Sequence, residues 1–326
     1  MKICVVGAGG WGTALSIILT HNSYDVTLWG YESKTVDNIV AYRENMQYLP
    51  RVAIPVGLQA TTNLKDAINS NNIIVLSVPV QFLPSVLTKI NKFEYEGKIF
   101  CNTAKGIDIK TSKLPHHIIK SSLKKIKNDS IVTLSGPSHA EEAARQKPTN
   151  VVSASTSKKS AETIKKIFSN SFFNVELSDD IVGVELGAAL KNIIAIGVGI
   201  CDGLNLGDNG KAAFLIKGLD ALSSLGMKMG AKKETFYGLP GLGDLIVTCY
   251  SRHSRNRYVG EELGRGKSLK EITDSMDMVA EGVATTKAIF PLVKKYSKKH
   301  IVFSELYNVL FDKKKPIIAM ENILNN

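Results

Sequence analysis

The sequence predicts an α/β amino-terminal half built on a parallel sheet, followed by an all-helical carboxy-terminal half. Three observations predict it. Apolar, β-rich runs alternate with helix-like stretches through the first half of the chain. A glycine-rich turn joins the first such run to the first helical stretch. Beyond Asp180 the strand signal fades and long helical stretches take over. The chain has 326 residues, 44% of them hydrophobic. At about 100–200 residues per domain that is length for two domains, each with its own core. The expected division is 1–180 and 181–326.

The strand-like runs are Ile3–Val6, Val26–Trp29, Ile73–Val78, Ile99–Asn102, Ile131–Leu134 and Val151–Ser153. They are nearly continuous in apolar residues, as strands covered on both faces are. Between several of them lie the helix-like stretches Gly12–His21, Thr35–Ala41, Val80–Ile90, Pro115–Lys124 and Ser138–Arg145. A further helix–strand pair, Ala161–Phe168 and Phe172–Leu177, closes this half. The second half reads as helices over Ile181–Cys201, Gly210–Met229, Arg255–Leu263, Leu269–Met276, Thr285–Tyr296 and Ser304–Phe311. Gly and Pro punctuate them, as at Gly238-Leu239-Pro240-Gly241. No internal repeat or low-complexity tract is apparent.

Composition excludes several classes. The apolar fraction is too high for a mostly disordered chain. Cys4, Cys101, Cys201 and Cys249 lie far apart without a C-x-x-C pair, which argues against a disulfide scaffold and a thiolate zinc site. A reducing cytosol is the simplest setting. The most apolar stretch, Ile193–Cys201, is shorter than the roughly 18 residues of a membrane span and runs into Asp202. The run after Lys2 breaks at Gly7, unlike a secretory leader. A soluble intracellular protein is expected. The net charge of +11 attracts anions, whether nucleic acid, headgroups or phosphorylated metabolites. Its lysines come as scattered doublets such as Lys165-Lys166 and Lys232-Lys233, the pattern of solvated helix faces. No basic run is interleaved with aromatics as single-strand binders require.

The first motif is Gly7-Ala8-Gly9-Gly10-Trp11-Gly12, a G-x-G-x-x-G turn between a strand and a helix. Gly7 permits the tight turn, Gly9 lets a pyrophosphate approach the backbone, and Gly12 lets helix pack on strand. The exposed N–H groups and the helix dipole favour the anion. With a second strand in register, the motif points to dinucleotide binding. That strand ends Leu28-Trp29-Gly30-Tyr31-Glu32. An acidic residue there holds the ribose 2′-OH of NAD, and a cation accommodates the phosphate of NADP. Glu32 lies slightly late and Lys34 follows it, so the tip leaves NAD and NADP both open. Trp11 either packs against the fold or covers the cofactor.

The second feature is Lys191, which interrupts a helix that is apolar or small on nearly all sides, from Glu185 to Gly203. A buried lysine is rare without a partner or a task. Desolvation lowers its pKa and makes it a useful base, though an interdomain salt bridge reads equally well. Further on, Thr248 to Arg257 concentrates hydroxyls, an amide and three arginines at a helix start, a mix suited either to a phosphate or to an ordinary polar cap. Asp244 either orients Lys191 or caps a helix. Asn102-Thr103-Ala104-Lys105-Gly106 and Ser135-Gly136-Pro137-Ser138-His139-Ala140 each end a strand, where α/β ligands collect. His139 is tempting as an acid–base group, but a histidine beside a turn is more often structural. No spacing of His, Cys and carboxylates suggests a metal, and none is expected.

Taken in order, these segments resemble the bacterial NAD(P)-dependent glycerol-3-phosphate dehydrogenases over nearly the whole chain. The carriers are the glycine turn through Thr13-Ala14, Ala104-Lys105-Gly106, Ser135-Gly136-Pro137-Ser138, Leu190-Lys191-Asn192 through Asp202-Gly203, Gly238 through Leu245, and Ser254-Arg255-Asn256. The resemblance implies a Rossmann-type domain at 1–180 and a helical substrate and catalytic domain at 181–326. It implies reversible hydride transfer between NAD(P)H and dihydroxyacetone phosphate, giving sn-glycerol 3-phosphate for phospholipid synthesis. It implies a catalytic set of Lys191 as proton donor and acceptor, Lys105 and Asp244. Substrate positions are then Lys105, Gly136, Ser138, Lys191, Asp244, Ser254, Arg255 and Asn256. Cofactor positions are Gly7, Gly9, Gly10, Trp11, Gly12, Lys105, Ala140, Arg255, Val279 and Glu281. Gly10 stands where the family commonly has serine, so a hydroxyl bond to the pyrophosphate is missing while the backbone N–H remains. Tyr31 and Lys34 fall where the family varies. The resemblance also implies a cytoplasmic homodimer, with neither nucleic-acid binding nor membrane insertion.

Two other readings compete, and nucleic-acid binding, resting only on charge, is a weaker third. A related dehydrogenase acting on a hydroxy acid or acyl substrate would need no phosphate clamp. A dinucleotide-sensing protein without catalysis would have no use for Lys191, Lys105 and Asp244 together.

Overall fold

The structure is a computed structural model of the chain and describes residues 1–251, 254–276, 280–296 and 301–325. The chain forms two compact units, Met1–Ala104 with Pro115–Ile181, and Lys105–Leu114 with Val182–Asn326. The excursion Lys105–Leu114, which the sequence leaves in the first domain, belongs to the second unit. Its Ile107 and Leu114 are buried in that unit's helical core.

The first unit runs β1 (Lys2–Val6), α1 (Gly10–His21), β2 (Asp25–Trp29), α2 (Ser33–Tyr42), β3 (Glu44–Asn45), β4 (Leu49–Ala53), β5 (Gln59–Thr61), α3 (Leu64–Asn69), β6 (Ile73–Leu76), α4 (Leu83–Ile90) and β7 (Ile99–Asn102). It continues with α5 (Pro115–Ser122), β8 (Ile131–Ser135), α6 (Ala140–Ala144), β9 (Thr149–Ala154), α7 (Lys158–Phe168) and β10 (Phe173–Ser178). Eight strands make one sheet in the order β10-β9-β8-β7-β6-β1-β2-β5. Leaving out β9 and β10, the order from the β5 edge is that of a doubly wound nucleotide-binding sheet, with the switch point between β1 and β6. All neighbours are parallel except β8 and β9, which pair antiparallel. The expected parallel sheet is found from β5 to β8, and the last two strands, β9 and β10, run the other way. The reversal falls at the connection through the short helix α6, between Ser135 and Thr149.

Four elements of this unit lack a sequence signal. The β3–β4 hairpin carries charge, Pro50 and Arg51 in place of apolar alternation, β5 has three residues, and α3 has six. The stretch Val80–Ile90, read as one helix, splits into a 3-10 turn over Val80–Phe82 and then α4. Pro84 sits in the first turn of α4, where its missing N–H costs nothing.

The second unit is helical: α8 (Ile181–Gly203), α9 (Gly207–Lys228), α10 (Lys233–Tyr237), a π-type turn (Leu239–Gly243), α11 (Asp244–Tyr250), α12 (Arg255–Gly264), α13 (Leu269–Asp274), α14 (Glu281–Tyr296), α15 (Ile301–Phe311) and α16 (Pro316–Asn325). Here α10, α11 and α16 are additions to the expected set. With 23 residues, α8 is long and apolar enough to span a membrane by length and composition, which Ile193–Cys201 taken alone is not. Nearly all of it is buried by the surrounding helices, which is the position of a core helix. It packs against α12 main chain to main chain. A methyl group on Gly260 would lie 1.8 Å from the Ile196 carbonyl oxygen, and one on Gly199 would lie 2.0 Å from that of Arg257.

Candidate active site

In the first unit, β1 delivers the chain into the glycine turn, and the Gly7 N–H donates to the Trp29 carbonyl at 2.8 Å, tying the turn to the end of β2. Gly7 takes φ of 121°, open to glycine and strained for other residues, and a methyl there would also meet the Ser77 carbonyl oxygen at 2.8 Å. A methyl on Gly12 would lie 1.9 Å from the Gly7 carbonyl oxygen. Gly9 is different: nothing lies within 4 Å of a methyl placed on it. Gly9 is also the N-cap of α1 and brings no capping side chain. The first turn of α1 thus presents backbone donors and a positive dipole end to an open flank, a cradle that fits a pyrophosphate.

Gly10 faces the Tyr48 carbonyl oxygen, 2.6 Å from where its Cβ would stand, with the Ala140 methyl 3.8 Å away on the same side. Two cofactor positions expected from sequence, Gly10 and Ala140, are therefore neighbours. The serine common in the family at position 10 has no room here unless Tyr48 moves. Trp11 is partly buried against the first unit's core, which is the packing alternative. The Ser138 hydroxyl donates to the Gly136 carbonyl at 3.0 Å in the turn after β8. His139 is the N-cap residue of α6. Asn102 is fully buried, and its side chain closes a turn by accepting from the Ala104 N–H at 3.0 Å.

In the second unit, Lys191 is buried midway along α8. Its ammonium donates to Asp244 Oδ1 and, at 2.7 Å, to the Thr248 hydroxyl. The Thr248 hydroxyl in turn donates to the Asp244 carbonyl at 2.7 Å. The other oxygen, Asp244 Oδ2, accepts from Lys105 at 2.7 Å. One buried carboxylate thus serves two ammonium groups. Asp244 opens α11 but spends both oxygens on lysines, so it orients Lys191 rather than caps the helix. The turn before it is held against α8, because a methyl on Gly187 would lie 2.5 Å from the Pro240 carbonyl oxygen.

The electrostatics follow from this arrangement. Burial lowers the Lys191 pKa, Asp244 opposes the shift and Lys105 adds to it, leaving the amine at about 8. Burial alone would raise the Asp244 pKa, but the two ammonium groups outweigh it and hold the carboxyl below its usual range. Glu281, at the start of α14, is pushed up by burial against the opposing pull of Arg255, Lys105 and Lys191.

Of the expected phosphate residues, Arg255 is exposed at the first position of α12. Ser254 and Asn256 are already engaged. The Ser254 hydroxyl oxygen accepts from the Arg257 N–H as the helix cap, and Asn256 Oδ1 accepts from the Gly282 N–H at 2.8 Å. Among the described residues, what these two still offer is the Ser254 O–H, the Asn256 amide N–H₂ and the backbone of the turn. Val279, expected at the cofactor, lies outside the described residues, as do Arg252 and His253. Thr248 and Tyr48 were not singled out by the sequence. Thr248 lies four residues after Asp244 on one helix, a spacing that would have flagged it. Among the described residues no three His, Cys, Asp or Glu side chains gather as a metal group. All four cysteines are free and buried.

Comparison with known proteins matches both halves of the chain. Residues 2–161 match the family model described as NAD-dependent glycerol-3-phosphate dehydrogenase N-terminus, and residues 180–321 match the C-terminus of the same family. A relative from Lysinibacillus sphaericus (strain C3-41), named glycerol-3-phosphate dehydrogenase [NAD(P)+], is 43% identical over 99% of this chain and 96% of its own. One of the same name from Bacillus thuringiensis (strain Al Hakam) is 45% identical over 95% of this chain and 92% of its own. The crystal structure of glycerol-3-phosphate dehydrogenase from Coxiella burnetii matches with a TM-score of 0.94 at 34% identity, covering 100% of this chain and 99% of that one. The chain belongs to the NAD-dependent glycerol-3-phosphate dehydrogenase family.

Proposed function

We propose that this chain interconverts dihydroxyacetone phosphate and sn-glycerol 3-phosphate with NAD(H) or NADP(H), and that Lys191 carries the proton. The observation that supports this most is the buried amine of Lys191, which shares the Asp244 carboxylate with Lys105. The nicotinamide, when bound, supplies or receives the hydride at the substrate's central carbon. Each ketone reduced gains one hydride on carbon and one proton on oxygen. Lys191 as ammonium gives that proton, and as amine takes it back in the oxidation. An amine with pKa of about 8 populates both forms near neutrality. The two ammonium charges also favour the negative charge that develops on the ketone oxygen. Asp244 fixes the Lys191 ammonium from one side and Thr248 from another, so reaction requires little reorganisation.

Arg255 and the first turn of α12 hold the substrate phosphate, and this remote binding contributes to orientation at the carbon. The glycine cradle at Gly9 holds the cofactor pyrophosphate. The product enters phospholipid synthesis. The four buried thiols suit a reducing cytoplasm, and the homodimer rests on the family resemblance.

The test mixes purified protein with dihydroxyacetone phosphate and either NADH or NADPH and follows loss of nicotinamide absorbance. Turnover with at least one cofactor is expected, and its absence with both refutes the activity. Lys191→Met should lower kcat by about a hundredfold or more while leaving binary NAD(P)H binding intact. A near-normal kcat removes Lys191 from the chemistry.

A further inference from the structure

We propose that Glu32, pinned by Tyr48 and Thr35 at the tip of β2, makes this chain select NAD(H) over NADP(H). The inference rests on the reading that the glycine turn binds a dinucleotide, and it concerns residues of the first unit alone.

The tip of β2 stands beside the turn. The Gly7 N–H is bonded to the Trp29 carbonyl, and a methyl on Gly30 would lie 3.1 Å from the Ala8 methyl. Glu32 follows within two residues and serves as the N-cap residue of α2, yet its side chain makes no capping bond. Its carboxylate is engaged otherwise. The Tyr48 hydroxyl donates to it, 3.1 Å from Oε2 and 3.3 Å from Oε1, and the Thr35 hydroxyl donates to Oε2 at 3.0 Å.

Tyr48 is itself fixed to the glycine turn. It lies between β3 and β4, on a loop anchored by the buried Asn45. The Asn45 amide donates to the Ala8 carbonyl and the Thr13 hydroxyl, both at 2.8 Å, and its oxygen accepts from the Tyr48 N–H at 3.2 Å. The Tyr48 carbonyl then rests over Gly10, in the space a serine side chain would need. Glycine at position 10 and the placement of Tyr48 are thus one feature. The loop rides on the pyrophosphate turn and holds a carboxylate at a set distance from it.

A dinucleotide whose pyrophosphate lies on that turn runs its adenosine ribose toward the end of β2. There a carboxylate with accepting capacity left beyond its two donors receives the ribose hydroxyls of NAD. A 2′-phosphate brings about two negative charges against it and no hydrogen to donate. Burial and the nearby carboxylate raise the Tyr48 pKa, so its hydroxyl stays a donor to Glu32 and gives the phosphate no cation. The cations at this tip are Lys34, in the first turn of α2, and Lys89, whose ammonium lies 5.5 Å over the Tyr31 ring. Among the described residues neither forms a salt bridge with Glu32.

The experiment measures binary dissociation constants of NADH and NADPH by fluorescence titration, without substrate, together with kcat/KM for each. NADH should bind at least about tenfold more tightly, a difference of about 1.4 kcal/mol. Glu32→Gln, which keeps shape and removes charge, should reduce that ratio by about tenfold, chiefly by tightening NADPH. Tyr48→Phe, which frees the carboxylate, should move the ratio in the same direction by less. Equal or tighter NADPH binding by the unaltered protein overturns the proposal, as does an unchanged ratio in Glu32→Gln. Failure to bind either nucleotide instead overturns the dinucleotide reading beneath it. A circular dichroism melt of each variant separates lost folding from changed selectivity.

Discussion

Replacing Asp244 by Asn tests the electrostatic core of the mechanism. The substitution keeps the side-chain shape and removes the charge that Lys191 and Lys105 share. A unit charge about 4 Å away at an effective dielectric near 20 is worth about 4 kcal/mol. If the amide dipole and entering water restore about half, Lys191 loses about 2 kcal/mol of support for its charged form, or about 1.5 pKa units. Its pKa then falls from about 8 to roughly 6.5. At pH 7.5 the ammonium fraction drops from about three-quarters to about one-tenth. Ketone reduction needs the ammonium, so its rate declines as pH rises through the Lys191 pKa. That limb should lie near pH 8 in the unaltered enzyme and about 1.5 units lower in Asp244→Asn. Alcohol oxidation needs the amine, so its rising limb should shift the same way. The assay is kcat against pH in both directions under saturating substrate, with a thermal melt to verify folding. A reduction limb that stays near pH 8 in the variant refutes the reasoning.

Thr248→Val removes one of the two acceptors of the Lys191 ammonium, and a buried donor left unmade costs about 1–3 kcal/mol; the limb in kcat should move to lower pH by about one unit, read from the same profiles. Arg255→Ala should raise KM for dihydroxyacetone phosphate by about tenfold or more while kcat changes little, because a charge-assisted phosphate contact acts on binding; steady-state kinetics decide it. Gly260→Ala drives a methyl into the Ile196 carbonyl, so overpacking should cost about 1–3 kcal/mol, visible in urea unfolding. Lys98→Met strips three backbone carbonyls, those of Ile68, Asn69 and Asn71, of a shared ammonium donor; a stability loss of about 1–3 kcal/mol should appear in the same unfolding measurement with activity per folded molecule unchanged.

The strands of the sheet interior are legible because both faces are covered, so β6, and β1 after Lys2, read as unbroken apolar runs, and β8 departs from one only at Thr133 and Ser135. The glycine turn is legible because steric contacts at Gly7 and Gly12 leave no choice of residue. Lys191 stands out as one charge on an otherwise buried helix. What escapes the sequence is held by long-range contacts. The β3–β4 hairpin has charged residues and Pro50 because it lies outside the main sheet, so alternation does not mark it. The direction of β9 is set by its pairing with β8 in the folded sheet, and the residues of β9 itself are silent on it. Asp244 reads as a helix cap by position, and only the folded chain brings Lys105, 139 residues away, onto its second oxygen. Tyr48 carries no motif, and its partner Glu32 lies sixteen residues upstream.

The seam between α8 and α12 also bears on how this catalyst responds to heat. Two helices whose main chains touch have no rotamers between them to loosen by degrees. The amine on one and the opening turn of the other therefore drift together in thermal motion, with their separation set by covalent geometry and van der Waals radii. Warming can blur the side chains around that pair while leaving their spacing in register, until the helical unit melts as a whole.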